Sequence, residues 1–259
     1  MHTNGARQQM TKVTVITATT GSDYLRQNIK SVQEQTYEDV QHLVVVDGEE
    51  HLDKVATILA EEEFPNVDLV ILPYPTGTEQ YNGHRIYGGF THIAKGDYIC
   101  YLDEDNWLEP DHIESLMEAV GNNQWAATLR KIVDDEGKFI CNDDCESLCN
   151  WESVIRDYFV DVNCFFFAKP LALQLSPIWY RRARHPDDQP EVDRALTYTL
   201  KDNKIECEVT GKYTVNYRAG NRADSVQAKF FQQGNEIMKQ KYNGVLPWRK
   251  SNTNTTKGD

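Results

Sequence analysis

No stretch of this 259-residue chain stays apolar for more than a handful of residues, none running longer than Cys164 to Ala168, so no membrane-spanning segment is expected. The first ten residues, MHTNGARQQM, hold no charged-then-apolar leader, and the reading is a soluble, uncleaved chain. Basic residues are scarce as well. Lys and Arg total 27 against 40 Asp and Glu, a formal charge of -13, which repels a phosphate backbone and argues against non-specific nucleic-acid binding. Six cysteines (Cys100, Cys141, Cys145, Cys149, Cys164, Cys207) are too few for a disulfide framework in a chain this long and point to a reducing, cytoplasmic compartment.

Two phosphate-binding signatures are missing. VITATTGSDY stands where a Gly-x-Gly-x-x-Gly would follow the first strand, which disfavours the usual dinucleotide fold. No Gly-Lys-Ser/Thr loop occurs, which removes the common phosphate-loop ATPases.

What is present is ordinary globular composition, 40% hydrophobic and 26% charged, with strand and helix patterns in alternation. VTVITA (Val13 to Ala18) reads as a strand, followed by a helix carrying Leu25, Ile29 and Val32. Leu43 to Val46 and Leu69 to Leu72 read as strands around a helix with Val55, Ile58 and Leu59. A helix with Ile86, Phe90, Ile93 and Ala94 leads to the strand DYICYL, and Pro110 opens a helix with Ile113, Leu116, Met117 and Val120. Four strand-helix repeats predict an α/β fold whose central sheet is mainly parallel and covered by helices. The back half reads as mixed, with strands AATLRKIV, FICN, NCFFFA and YTVNY and helices near Val192 to Leu200 and Ala223 to Tyr242. The expected organisation is one domain over 12–248, with a nucleotide-binding half (12–120) and an acceptor half (121–248), between flexible ends 1–11 and 249–259.

Ligands of open α/β sheets bind beyond the carboxyl ends of the strands, and two such ends are acidic. Asp47 follows LVVV, and Asp103, Glu104 and Asp105 follow YICYL. Asp103 and Asp105 are two apart, so on extended backbone they share a face and can share one hard divalent ion, while Glu104 turns the other way. The competing reading is a turn with solvated acids.

The segments VTVITATTGSDYLRQNIKSVQEQTYEDVQHLVVVDG and NGHRIYGGFTHIAKGDYICYLDEDNWLEPDHI, in this order and spacing, resemble the family 2 glycosyltransferases of GT-A fold. The resemblance covers the chain up to about His112. It implies a metal-dependent, inverting transfer of a sugar from a nucleoside-diphosphate donor, uridine-based, to a hydroxyl of a glycan, a lipid-linked molecule or another acceptor, with a position peripheral to a membrane left open. By the same resemblance Thr17, Thr19 and Asp47 would contact the nucleoside, and Asp103 and Asp105 would hold Mn²⁺ or Mg²⁺ on the diphosphate. Arg85 would face the donor, with a solvated arginine as the alternative.

Inverting members place the catalytic base late, near a helix start, often as the second acid of a pair. The match here is Asp188, with Asp187 second, against the alternative that both are helix-start acids favoured by the dipole. The chain departs from the family in lacking a late histidine ligand, since KYTVNYRAGNRADS has none; Arg218 and Arg222 could bind the diphosphate instead.

Cys141, Cys145 and Cys149, every fourth residue, invite a zinc reading, but ordinary thiols on one helical face fit the spacing better. Trp107, Trp151 and Trp179-Tyr180 could form a sugar platform, with core packing as the default. Two rivals stay open: a nucleotidyltransferase, disfavoured by the missing Gly-rich basic loop, and a nucleotide-sugar- or carbohydrate-binding module without a base.

Overall fold

β-Branched, apolar VTVITAT forms an interior strand because both faces of it are covered, and the strands beside it are built the same way. The computed structural model describes residues 11–61, 64–65, 67–78, 81–181, 191–221 and 225–250. In chain order the strands are β1 (Val13–Thr19), β2 (Val40–Val46), β3 (Val67–Ile71), β4 (Tyr98–Tyr101), β5 (Trp107–Leu108), β6 (Trp125–Val133), β7 (Phe139–Asn142), β8 (Phe165–Ala168) and β9 (Glu208–Arg218). The helices are α1 (Leu25–Gln33), α2 (Leu52–Ala60), α3 (His84–Phe90), α4 (His112–Val120), α5 (Lys169–Leu175), α6 (Val192–Asp202) and α7 (Ala228–Lys241).

One sheet runs β3-β2-β1-β4-β8-β6-β9-β5, with β7 attached to β6. Its first four strands are parallel, as the alternating pattern requires. The back half is mixed: β8 lies antiparallel between β4 and β6, β9 runs parallel to β6, and β5 returns antiparallel on β9. Among the described residues no helix is long and apolar enough to cross a membrane.

The helices bury the residues their spacing selects: Leu25, Ile29 and Val32 on α1, and Ile113, Leu116 and Val120 on α4. A second cluster holds the back half together, with Leu129, Ile132, Leu148, Phe231, Met238 and Trp248 packed under α7. Gly96 is needed at the turn into β4, because a Cβ there would stand 2.5 Å from the Thr14 amide nitrogen.

Three expectations change. The late helix starts at Ala228 rather than Ala223. The segment with Cys145 and Cys149 is loop, not helix: Asp143 caps it by accepting the Cys145, Glu146 and Ser147 amides at 2.8–3.0 Å, a side-chain pattern that competes with helix. Cys149 is also not a plain thiol, since it pairs with Cys207 in a disulfide, and Cys145 is fully buried.

Candidate functional site

Parallel registry brings three strand ends level. Asp47 N donates to Thr19 O at 2.9 Å and Leu102 N to Ile16 O at 3.0 Å, so Thr19, Asp47 and Asp103 emerge at one end of the sheet. There they line a cleft of about 700 Å³. Its floor is Asp103–Asn106, one wall is the loop with Gly77 and Asn82 followed by His84 and Tyr87, and the other holds Tyr24, Arg218 and Asn221.

Asp103 sits in the floor with both carboxylate oxygens engaged. Oδ1 accepts from the Tyr87 hydroxyl at 2.7 Å and Oδ2 from Asn163 Nδ2 at 3.0 Å. Burial, followed by the charges of Asp105 and Asp161, pushes its carboxyl up to about 7. Asp105 Oδ2 accepts from Asn221 Nδ2 at 2.7 Å. Asn28 Nδ2 fastens the segment from below, donating to the carbonyls of Asp103 at 2.9 Å and Asn106 at 3.1 Å. Glu104 turns away from this pair toward the loop after β1, where Thr19 Oγ1 donates to it at 2.5 Å.

Across the cleft the Arg218 guanidinium lies between two rings, 4.2 Å from the centroid of Tyr24 and 4.8 Å from that of Trp107. Nη1 donates to Asp135 O at 2.9 Å and Nη2 to Gln27 Oε1 at 2.5 Å, while Nε is buried without a partner. Burial lowers its pKa from the ordinary arginine value.

The other expected site residues divide. Thr19 lines the cleft. Thr17, two residues earlier on β1, does not: it is fully buried and hydrogen-bonded at 3.0 Å to His42 Nε2, so the expected nucleoside contact does not fall to it. Asp47 reaches the cleft, but its carboxylate already accepts from the Thr76 amide at 2.6 Å, the Thr76 hydroxyl at 2.8 Å and the Gly77 amide at 2.8 Å, which makes it the anchor of the wall loop. Arg85 braces the same loop from behind, donating to Thr76 O at 3.0 Å and stacking 3.5 Å from the Tyr81 centroid; it is not among the cleft-lining residues. Asp187, Asp188 and Arg222 lie outside the described residues.

The aromatic-platform candidates are packed. Trp179 is fully buried against Tyr87 and Tyr101, Trp151 packs on Trp248, and Trp107 stacks on Arg218; only Tyr180 is exposed. Among the described residues no group of three or more His, Cys, Asp or Glu is arranged to hold a metal, and Cys149, one of the three cysteines of the zinc reading, is taken up in its disulfide with Cys207.

Asn28, Tyr87, Asn163 and Asn221 were not anticipated. Each acts across at least sixteen residues of sequence, where no local spacing signals it.

Solved structures share this fold. The S. aureus TarS 1–349 structure in complex with UDP-GlcNAc aligns with a TM-score of 0.58 over 90% of this chain and 67% of that one, at 13% identity. The mannosyltransferase PcManGT from Pyrobaculum calidifontis, in complex with GDP-Man and Mn²⁺, aligns at 0.57 over 83% of this chain and 59% of that one, also at 13% identity. At such identities the likeness shows the GT-A type of fold alone. In sequence, the glucosyl-dolichyl phosphate glucuronosyltransferase of Haloferax volcanii is 32% identical over 104 residues, 40% of this chain and 31% of that protein. Glycosyltransferase GlyA of Streptococcus pneumoniae is 30% identical over 110 residues, 42% of this chain and 15% of that protein. The match thus spans under a third of either relative. Residues 14–141, just under half of the chain, match the family model of glycosyl transferase family 2, so the region that builds the carboxylate side of the cleft carries the pattern of that family.

Proposed function

We propose that the chain is a glycosyltransferase that binds a nucleoside-diphosphate sugar, with uridine as the nucleoside, in this cleft and passes the sugar to a hydroxyl acceptor with inversion. The observation that carries the reading is the pairing of Asp103 and Asp105 on the cleft floor with the cationic Arg218 on its wall, in a space of nucleotide-sugar size. The sequence pattern over residues 14–141 and the nucleotide sugars bound in TarS and PcManGT support it.

The residues fit a divalent cation. Two carboxylates two residues apart provide hard oxygen donors, and burial, with the charges of Asp105 and Asp161, already disfavours the ionised form of Asp103, a penalty that a bound cation would relieve. Asp103 and Asp105 would hold Mn²⁺ or Mg²⁺, with diphosphate and water completing the shell. Such an ion supplies charge stabilisation to a departing diphosphate.

This chain's own residues do the remainder. Thr19, its hydroxyl held by Glu104, lines the nucleoside end, and Asp47 shapes that end by holding the Thr76–Gly77 loop. Arg218, preorganised between Tyr24 and Trp107, presents fixed positive charge to the diphosphate as charge builds on it. Asp188, or Asp187 beside it, removes the acceptor proton as the hydroxyl attacks the anomeric carbon from the face opposite the diphosphate. Residues 12–248 act as one unit in this reading, because β8 lies between β4 and β6 and joins the two halves of the sheet.

The test is a screen of UDP- and GDP-sugars for release of nucleoside diphosphate, with and without Mn²⁺. The reading expects one donor to turn over and excess chelator to suppress it. Folded protein that binds and cleaves none of them would overturn it.

A further inference from the structure

Glu104, the residue between the two aspartates, is committed to a different task. Its carboxylate accepts from the Thr19 hydroxyl at 2.5 Å, the Ser22 amide at 2.9 Å, the Thr20 hydroxyl at 3.0 Å and the Thr20 amide at 3.3 Å. All these donors are neutral, and all lie in residues 19–22, the last residue of β1 and the turn after it. The same stretch is tied into α1, since Leu25 N donates to Ser22 O at 3.0 Å and Tyr24 N to Ser22 Oγ at 3.2 Å. Thr19, Thr20, Ser22 and Tyr24 line the cleft.

A loop of Thr, Thr, Gly and Ser has little apolar surface with which to hold itself, so its place depends on hydrogen bonds. Gly21 gives it a left-handed residue, at φ +78°, where an added Cβ would stand 3.0 Å from Lys54 Cβ. Charge-assisted bonds from two amides, those of Thr20 and Ser22, and two hydroxyls to one carboxylate are the strongest ties this loop makes. Glu104 could not ligate a cation beside Asp103 and Asp105 without releasing them.

We infer that Glu104 is a positioning residue: it locks the loop 19–22 in its cleft-lining place, couples that loop to the Asp103–Asp105 segment, and so sets affinity for the nucleoside half of the donor without ligating the cation. The inference rests on the proposed nucleoside-diphosphate donor for its affinity consequence, and on the hydrogen bonds alone for its structural one.

The experiment compares wild type, Glu104→Gln and Glu104→Ala, each first shown to melt cooperatively. Three quantities are read: uridine diphosphate affinity with Mn²⁺ present, Mn²⁺ affinity without nucleotide, and hydrogen exchange at the Thr20 and Ser22 amides. Glu104→Ala should weaken nucleotide binding about tenfold or more, speed exchange at both amides by a similar factor, and leave Mn²⁺ affinity within about twofold. Glu104→Gln, which keeps one acceptor oxygen, should fall between. Mn²⁺ affinity dropping as far as nucleotide affinity would overturn the inference by making Glu104 a ligand. Unchanged amide exchange in Glu104→Ala would overturn it by freeing the loop from Glu104. If wild type binds no nucleoside diphosphate while the amides do lose protection, the loop lock stands and the donor reading falls.

Discussion

Asp103 and Asn163 are tied to one another twice: the Asp103 amide donates to Asn163 Oδ1 at 2.7 Å, and Asn163 Nδ2 donates to Asp103 Oδ2 at 3.0 Å. The same Nδ2 donates to Asp161 Oδ1 at 2.8 Å, and Asp161 in turn pairs with the buried Arg130. One amide therefore separates two carboxylates and links the cleft floor to a charged network in the core. Asn163 is fully buried, so each of its bonds lacks a water substitute.

Asn163→Ala should accordingly cost stability and aim together. Two carboxylate oxygens lose a donor, which corresponds to a loss of about 2–4 kcal/mol in urea unfolding. Uridine diphosphate affinity in the presence of Mn²⁺ should fall about tenfold, because Asp103 is no longer held. Asn163→Asp, of the same shape, should be worse than alanine near neutral pH, since it sets a third carboxylate between two others. Wild-type nucleotide affinity in folded Asn163→Ala would show that Asp103 keeps its place unaided.

Asp105→Asn tests the cation site itself. The asparagine oxygen can still accept from Asn221, so the fold should melt as wild type does. Removing the charge should lower donor turnover by about two orders of magnitude. If nucleoside diphosphate release continued at the wild-type rate, Asp105 would have no place in the proposed chemistry.

The front of the fold was readable because each strand is an uninterrupted apolar run and each helix repeats its apolar residues at helical spacing. Val13, Ile16, Val45 and Ile99 sit in the core where those patterns put them. The cleft was readable only as far as strand ends could be counted. Thr17 and Thr19 point to one side of β1 and are equivalent by alternation, yet only the end residue clears the sheet; Thr17 is met by Asn28 of α1 and His42 of β2. Arg130 was not singled out, for a similar reason. A charged residue within AATLRKIV suggests a solvated face, but the loop 143–146 and Asp161 cover it, and these contacts span 13 to 31 residues. Local pattern carries no such information.

His112 offers a pH test away from the cleft. It is fully buried, with Nδ1 2.8 Å from the Thr214 hydroxyl, and burial pushes its pKa down to about 3. The unfolded chain takes up this proton below about pH 6.5, whereas the folded chain does not until about pH 3. The contribution is therefore complete above the unfolded value and is lost as pH falls. Relative to His112→Asn, wild type should lose about 1.4 kcal/mol of unfolding free energy for each pH unit from 6.5 toward 4. Parallel stability curves for the two proteins would mean that His112 takes up its proton in the fold at the same pH as in the unfolded chain.

Arg130 carries the largest expected effect. Its guanidinium is buried, donates to Asp143 at 2.8 Å, to Glu146 at 2.6 Å and to Asp161, and lies 4.4 Å from the Tyr217 ring centroid. A methionine would fill comparable volume but leave three buried carboxylates facing one another, with Arg194 3.3 Å from Glu146. Breaking such a set by removing the shared cation costs about 3–5 kcal/mol, so Arg130→Met should unfold at much lower urea near pH 7.5. Burial already holds the Glu146 carboxyl above its ordinary value, and without Arg130 the group should rise further. A carboxyl raised in the fold is stabilising at low pH and loses that contribution as pH climbs through its folded value. The deficit of Arg130→Met should therefore shrink between pH 7.5 and 5.5, while Arg130→Lys, with the charge but not the fork, should stay intermediate at both. A deficit that is constant over this range would mean that the lost stability comes from packing against Tyr217 and Phe231 and not from the stranded acids.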